Sequence, residues 1–144
     1  MSEDSVFKEN LFKGKKVFIT GGATGMGLGF AQAFLNHGAE VFIASRKEDK
    51  LKQAAEETKK KFGKKLIWKT MDVRDNETVE EAIGFLNSEW GELDILVNNA
   101  AGNFVAPVAS MSENAWRSVV DIVLDGTFRV SKASYPLLRK AKNG

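Results

Sequence analysis

The segment Thr20-Gly21-Gly22-Ala23-Thr24-Gly25-Met26-Gly27 decides how this chain folds. It follows the short apolar run Val17-Phe18-Ile19 and precedes a stretch whose apolar residues recur at helical spacing. Glycines placed in this way permit a tight turn, a close approach of the backbone to a pyrophosphate, and close packing of helix on strand. The N-terminus of the helix then offers N–H groups and the positive end of its dipole to phosphates. The segment predicts a dinucleotide-binding turn, and the alternative is a glycine-rich turn without a ligand.

Outward from this turn, strand-like and helix-like segments alternate along the chain. The predicted strands are Val17 to Ile19, Val41 to Ala44, a strand that starts at Leu66 to Trp68, and a fully apolar run from Leu93 to Val97. The predicted helices run from Gly25 to His37, Leu51 to Phe62, Val79 to Trp90 and Trp116 to about Lys140. Strands that are continuously apolar are covered on both faces. The order therefore predicts an α/β fold with a doubly wound parallel sheet of the Rossmann type.

The chain divides into an irregular lead-in, residues 1–14, and one predicted domain, residues 15–144. Four βα units account for that domain, and no further strand follows the fourth helix. A sheet of this kind normally continues, because its last strand would otherwise have an uncovered edge. We therefore expect later strands to be absent from this chain, with a turn toward a fifth strand beginning at residues 142–144.

The composition excludes several classes of function. Hydrophobic residues make up 43% of the chain and charged residues 28%, which excludes a disordered protein, and the net charge of +2 is too small to imply nucleic acid. The absence of cysteine and the single histidine, His37, exclude disulfides, thiolate catalysis and Cys- or His-rich metal sites. No signal, transit or membrane-spanning segment is visible. We expect a soluble cytoplasmic protein with neither membrane nor metal, a peroxisomal location being left open, and a core that includes Trp68, Trp90 and Trp116.

The end of the second predicted strand bears on the choice of coenzyme. A site that prefers NAD places an acid there to bind the ribose 2′-hydroxyl. This chain has Ser45-Arg46-Lys47 instead. An acid would repel a 2′-phosphate, whereas a guanidinium can bind it through two hydrogen bonds. NADPH is therefore the predicted cofactor, and the alternative is that Arg46 is a solvated loop residue.

Three motifs that follow predicted strands resemble the short-chain dehydrogenase/reductase family. The first turn has that family's spacing T-G-x-x-x-G-x-G, Asn98 to Gly102 resembles its N-N-A-G, and Asp72-Val73 resembles its adenine-contacting pair. More narrowly, the string NNAAGNF from Asn98 to Phe104 resembles the 2,4-dienoyl-coenzyme A reductases of that family. The similarity extends from about Leu11 onward and includes Ile43 to Arg46, Met71 to Asp75 and Asp121 to Val123.

The glycine turn, the end of the second strand and the resemblance together predict which residues contact the coenzyme. They are Gly21, Gly22, Ala23, Thr24, Gly25, Met26, Gly27, Arg46, Asp72, Val73, Asn99 and Ala100. Asp72 would accept a hydrogen bond from the adenine amino group, and the alternative is an aspartate that caps a helix or lies in a loop. Asp75 is the better cap candidate for the third helix, which leaves Asp72 freer for the ligand.

The resemblance also implies roles toward an acyl-CoA thioester substrate. Asn103 matches the asparagine that binds the thioester oxygen and stabilises the negative charge that develops there, which is a catalytic role. The alternative for Asn103 is a turn asparagine after Gly102. Arg74, Phe104 and Ser112 match positions that contact the substrate.

The implied function is NADPH-dependent reduction of 2,4-dienoyl-CoA to 3-enoyl-CoA in fatty acid β-oxidation. Val123 stands where many family members have a catalytic asparagine, which the dienoyl reductases also lack. The family's catalytic tyrosine, serine and lysine would lie beyond residue 144, and Tyr135, which precedes Pro136 in the fourth helix, does not replace that tyrosine. Two alternatives remain: a related reductase acting on a 3-oxoacyl thioester, and a nucleotide-binding fragment without catalysis. The resemblance further implies a homo-oligomer for the full-length protein.

Overall fold

The computed structural model describes residues 7–142 and contains a four-stranded parallel sheet. Its strands are β1 Lys16–Thr20, β2 Glu40–Ser45, β3 Ile67–Thr70 and β4 Ile95–Val97, in the order β3-β2-β1-β4. β1 pairs in parallel with β2 on one side and with β4 on the other. The strand order therefore reverses between β1 and β4, where a crevice opens at the carboxyl ends of the strands. The predicted α/β fold with a parallel, doubly wound sheet is confirmed.

Helices connect the strands, as the apolar spacing predicted. They are α1 Gly25–Asn36, α2 Glu48–Phe62, α3 Asn76–Glu89, α4 Glu113–Val120 and α5 Gly126–Leu138, with a 3-10 turn at Val108–Ser110. The predicted single helix from Trp116 to about Lys140 is instead α4, a π-helical turn at Asp121–Asp125, and α5 in direct succession. A π turn inside a helix keeps the chain helical, so apolar spacing alone did not reveal it.

Two apolar layers cover the two faces of the sheet, because alternate side chains of a strand point to opposite faces. Val17 and Ile19 belong to the cluster that α1 and α2 cover, whereas Phe18 belongs to the cluster under α3 and α5. All three side chains are fully buried, and the ring centroid of Phe18 lies 5.0 Å from that of Phe42 in β2. Each such large apolar side chain contributes about 1.5–3 kcal/mol on burial. The centre of the sheet is therefore firmly packed.

β4 lies at the edge of the sheet and is shorter than predicted. It pairs only with β1 among the described strands, and the side chains of Ile95–Val97 are half-buried. The prediction of a fully apolar run from Leu93 was wrong, because the run includes Asp94, whose carboxylate accepts hydrogen bonds from Lys15 Nζ at 2.6 Å and Lys16 N–H at 2.9 Å. Burial raises the pKa of Asp94, but these hydrogen bonds and the lysine charges outweigh it and hold that pKa below its ordinary value.

The tryptophans differ in a way that apolar spacing did not reveal. Trp68 and Trp90 are half-buried and pack against the two core clusters. Trp116 is 61% exposed, so the prediction that it belongs to the core was wrong. It lies on a segment, α4 to α5, whose exposed large apolar side chains are Trp116, Val123, Leu124, Phe128 and Tyr135. Helical spacing of apolar residues there marks an outer face as well as a buried one.

The described part of the lead-in consists of turns that pack against α1. The Phe12 N–H donates to His37 O at 2.9 Å, and the ring centroids of Phe12 and Phe34 lie 4.8 Å apart. Residues 1–6, and residues 143 and 144 of the expected turn toward a further strand, lie outside the described part of the chain. Within residues 7–142, no helix is long and apolar enough to cross a membrane.

Candidate functional site

A cavity of about 450 Å³ opens at the carboxyl ends of the strands. It lies where the strand order reverses, which is the usual ligand site of such sheets. Most of the residues predicted to contact a coenzyme line it, namely Gly21, Ala23, Thr24, Met26, Gly27, Arg46, Asp72, Val73, Asn99 and Ala100. Gly22 and Gly25 belong to the same turn but do not line the cavity. The turn, the ends of β2 and β3, and the loop after β4 thus form one concave surface.

The turn after β1 lies against the loop after β4 with no room for side chains. A Cβ on Gly21 would lie 3.0 Å from Ala100 Cα, and Gly21 has a φ of 66°, which favours glycine. A Cβ on Gly27 would clash with Gly21 O and with Asn99 Nδ2. The glycines at these two positions let the backbone of the turn pack against the loop after β4 and against itself, whereas the approach to a pyrophosphate stays a prediction.

The N-terminus of α1 has backbone N–H groups without a hydrogen-bond acceptor inside the helix. Thr24 precedes the helix, but its side chain makes no capping hydrogen bond, and the first turn contains no acid. The first helical hydrogen bond runs from Leu28 N–H to Thr24 O at 3.2 Å, so the N–H groups before Leu28 have no partner within the helix. By contrast, Asp75 caps α3 and Ser112 caps α4 through their side chains. The α1 terminus alone of these three faces the cavity, and it is suited to an anion.

A hydrogen-bonded clamp joins β1 to the loop after β4. Thr20 Oγ1 accepts the N–H groups of Asn99 at 3.0 Å and Ala100 at 2.9 Å. Asn99 Nδ2 donates in return to Thr20 O at 3.0 Å and Gly21 O at 3.2 Å. Thr20 is buried, so these bonds are shielded from water. The sequence analysis placed Asn99 at the site but missed Thr20, whose role depends on a contact between residues distant in sequence.

Three cationic side chains line the cavity where β2 ends and α2 begins. Arg46, Lys47 and Lys50 line this corner of the cavity, and all three are exposed. Sequence reasoning identified Arg46 but missed Lys50, which reaches the cavity from the first turn of α2. The lining residues include one carboxylate, that of Asp72. The corner is therefore suited to an anionic group.

Asp72 does not have the free carboxylate that the sequence predicted. Arg74 holds it from the side, with Nη2 2.6 Å from Oδ2 and Nε 3.0 Å from Oδ1. The hydrogen bond from Arg74 lowers the pKa of Asp72, and the charge of Arg46 adds to the effect, although burial opposes it. Asp75 caps α3 by accepting the Glu77 N–H at 3.0 Å, as predicted. Arg74, predicted to contact a substrate, does not line the cavity and here orients Asp72.

The remaining predicted substrate residues lie outside the cavity. Asn103 and Phe104 are exposed in the loop after β4, with 54% of Phe104 accessible. Among residues 7–142, the Asn103 side chain has no hydrogen-bond partner. Ser112 is exposed, and its Oγ accepts the Ala115 N–H at 3.2 Å. The structure thus brings together the predicted coenzyme residues, whereas Asn103, Phe104 and Ser112 remain predictions.

Ile122 of the π turn is a wall residue that sequence reasoning missed. It lines the cavity, and a Cβ on Gly102 would lie 2.6 Å from Ile122 Cδ1. A regular helix would be predicted here from the apolar spacing, so the sequence carries no clear signal for the π turn that places this side chain.

The sequence of this chain is similar to those of known proteins. A family model described as short chain dehydrogenase matches residues 15–144. The peroxisomal 2,4-dienoyl-CoA reductase of Danio rerio, named (3E)-enoyl-CoA-producing, is 39% identical over 130 residues, which cover 90% of this chain and 43% of the relative. The probable 2,4-dienoyl-CoA reductase of Bacillus subtilis (strain 168), named (2E)-enoyl-CoA-producing, is 39% identical over 123 residues, which cover 83% of this chain and 47% of the relative. This chain thus spans less than half the length of either relative.

A solved structure is similar over the same part of the chain. The crystal structure of L-sorbose reductase from Gluconobacter frateurii, complexed with NADPH and L-sorbose, aligns with a TM-score of 0.83 and 29% identity. The alignment covers 90% of this chain and 49% of that one. The cavity described above therefore lies in a fold that is shared with a nicotinamide-binding protein.

Proposed function

This chain belongs to the short chain dehydrogenase family, and from that premise we propose that it is the coenzyme-binding part of an NADPH-dependent 2,4-dienoyl-CoA reductase. The substrate class is an acyl-CoA thioester, in line with the names of the Danio rerio and Bacillus subtilis relatives. The proposed product is 3-enoyl-CoA, as in the name of the Danio rerio relative.

The observation that carries the proposal is the uncapped N-terminus of α1, which faces the cavity. The uncapped terminus of α1 supplies N–H donors, and Gly21 and Gly27 let the turn beside them pack on the loop after β4. Backbone donors that are fixed before binding lose little freedom when an anion arrives. A dinucleotide of matching shape would lie from this turn toward Arg46 at one end and Asn99 at the other.

The cationic corner supports NADPH over NADH. Arg46, Lys47 and Lys50 line the cavity where β2 ends, and no acid follows β2 before α2 begins. A guanidinium can bind a phosphate through two parallel hydrogen bonds, and the lysines add charge. NADH has no ribose 2′-phosphate and gains nothing from the corner.

Reduction of a dienoyl thioester needs a hydride at the far end of the diene and a proton near the thioester. The chemistry that NADPH supplies when bound is hydride donation. Negative charge develops on the thioester oxygen before the proton arrives, and the Asn103 amide is the proposed donor that stabilises it. Phe104, Arg74 and Ser112 are proposed to contact the substrate.

Equilibrium fluorescence titration of the natural full-length protein tests the coenzyme assignment. We expect tighter binding of NADPH than of NADH, and we expect Arg46→Ala to weaken NADPH binding by about tenfold to a hundredfold, because a charge-assisted hydrogen bond contributes about 1.5–3 kcal/mol. Binding of NADH should not change. Lys52→Ala is the control, since Lys52 lies outside the cavity and pairs with Glu48 at 2.7 Å. Equal affinity for the two coenzymes, undiminished in Arg46→Ala, would overturn the assignment.

A second candidate is a reductase that acts on a ketone such as a 3-oxoacyl thioester. The similarity to a sugar reductase complexed with NADPH favours it, whereas Val123, at a position where carbonyl-acting relatives often have asparagine, favours the dienoyl substrate. Parallel turnover assays with a dienoyl and a 3-oxoacyl thioester separate the two. Analysis of the double-bond position in the dienoyl product distinguishes a 3-enoyl from a 2-enoyl product. The homo-oligomeric state and the cytoplasmic location stay predictions, and the peroxisomal name of one relative bears on the latter.

A further inference from the structure

A π-helical turn separates α4 from α5 beside the cavity. It comprises Asp121–Asp125, and a hydrogen bond from Gly126 N–H to Asp121 O closes it. π turns are rare, and they are frequently found at functional sites inside α-helices. The proposed function leaves the turn without a role.

Arg129 supplies the contacts that hold the π turn. Its Nη1 donates to Asp121 Oδ1 at 2.8 Å, and lies 3.4 Å from the carbonyl oxygens of both Asp121 and Val73. The Arg129 side chain is 24% exposed and that of Asp121 is 39% exposed, so solvent screens the pair only in part. One guanidinium therefore joins the π turn to the segment that follows β3.

The π turn and the residue after it touch both walls of the cavity. Ile122 packs on the loop after β4, where Gly102 leaves no space for a side chain. Gly126 lies equally close to the opposite wall, since a Cβ there would be 2.7 Å from Val73 Cγ2. Close-packed contacts of this kind transmit small displacements instead of absorbing them. The position of the turn therefore sets the distance between the two walls.

We propose that Arg129 is a positioning residue for coenzyme binding, because it holds the π turn against Val73 and so fixes the loop after β4 relative to the segment after β3. The inference rests on the proposed coenzyme site. Without the guanidinium, Val73 O and the Asp121 carboxylate lose their shared donor, and only the packing of Gly126 on Val73 still joins the turn to that wall. Contacts from Asp72 on one wall and Ala100 on the other then weaken together. Arg129 does not line the cavity or belong to the Arg46 corner, so NADPH and NADH are affected alike.

Titration of the natural full-length protein with NADPH and with NADH tests this role. We expect Arg129→Ala to raise both dissociation constants by about tenfold. The control is Leu137→Ala, which removes a buried side chain of α5 far along the helix from the cavity and should change both constants by less than about twofold while lowering the melting temperature at least as much. A purely structural role for Arg129 predicts that loss of affinity follows loss of stability in both variants.

Hydrogen exchange of the coenzyme-free protein supplies a second measurement. Amides of residues 71–74 should exchange faster in Arg129→Ala than in wild type and remain unchanged in Leu137→Ala. Arg129→Lys keeps the charge but cannot span both acceptors, so we expect an intermediate loss of about threefold, and this variant decides the question if Arg129→Ala fails to fold. Wild-type affinity in the arginine variants, or a loss no larger than that of Leu137→Ala, overturns the inference and leaves the proposed function standing. A wild-type protein that binds neither coenzyme overturns both.

Discussion

The centre of the sheet and its β4 edge differ in how completely their residues are packed. In β1 and β2, Phe18 and Phe42 are fully buried and flanked by strands on both sides. In β4, the side chains of Ile95–Val97 are half-buried, and the strand has one described neighbour. The loops that follow these strands differ in the same way. The turn after β1 is fixed by backbone contacts, whereas Asn103 and Phe104 in the loop after β4 are exposed.

This difference separates two parts of the proposed function. The coenzyme cavity is built from the ends of β1, β2 and β3 and from the first residues after β4, all held by contacts within residues 7–142. Two of the proposed substrate contacts, Asn103 and Phe104, lie beyond them, exposed in the loop after β4. Groups that are positioned before a ligand arrives lose less freedom when it binds. We therefore expect coenzyme binding to depend on the packed centre, and substrate contacts to depend on groups that cover the β4 edge.

We expect the greatest loss of stability when a large side chain is shortened to alanine at the centre of the sheet, and a smaller loss when the same is done in β4. Phe18→Ala removes a fully buried ring and should lower the free energy of unfolding by about 3–5 kcal/mol, whereas Leu96→Ala removes a half-buried side chain and should lower it by less than about 2 kcal/mol. Urea denaturation measures both. Equal losses of stability would contradict the difference in packing between the two regions and would mean that β4 is covered as fully as β1.

The next effect concerns the glycine turn. Gly27→Ala places a methyl group against Gly21 O and Asn99 Nδ2, and we expect a loss of about 1–3 kcal/mol in stability and at least about a hundredfold in coenzyme affinity. Gly29→Ala on the same helix is the matched control, because a Cβ there meets nothing within 4 Å. The control should leave affinity unchanged and stabilise the helix by up to about 1 kcal/mol. Thermal melts and coenzyme titrations of both variants would expose an error if the two alanines behaved alike.

The smallest effect probes the polar residue that precedes β4. The pKa of Asp94 is lowered in the folded state, so its charge stabilises the fold above its unfolded pKa of about 3.9, and this stability is lost as the pH falls through the lower folded pKa. We expect Asp94→Asn to cost about 1 kcal/mol at pH 7, with the difference from wild type shrinking below about pH 4. The exposed carboxylate variant Glu56→Gln is the control. A difference that stays constant down to pH 2 would show that charge is not responsible.

Much of the centre of the fold was predictable because its signals are local. The apolar run of β1, the glycine turn and the spacing along α1 lie within consecutive residues, and each has a direct structural meaning. Arg46 was also predictable, since the end of β2 follows from the same pattern. The resemblance to a known family then located Asn99 and Asp72 at the same cavity, where the structure places them.

The parts that sequence reasoning missed depend on contacts between distant residues. Asp94 and Lys15 form an ion pair although they are 79 residues apart in the sequence, and no local sequence pattern predicts it. The π turn at Asp121–Asp125 rests on Arg129 and on the approach of Val73, which helical spacing does not encode. The exposure of Trp116 likewise has no local signal, because apolar residues occupy both the buried and the exposed face of the segment from α4 to α5.

A crystal structure of the natural full-length protein with NADPH would show whether the turn after β1 and the corner beside β2 bind a phosphorylated dinucleotide. We expect the diphosphate against the N-terminus of α1 and the 2′-phosphate within hydrogen-bond distance of Arg46. An empty cavity at saturating NADPH, or a coenzyme whose 2′-phosphate points away from Arg46, would contradict it.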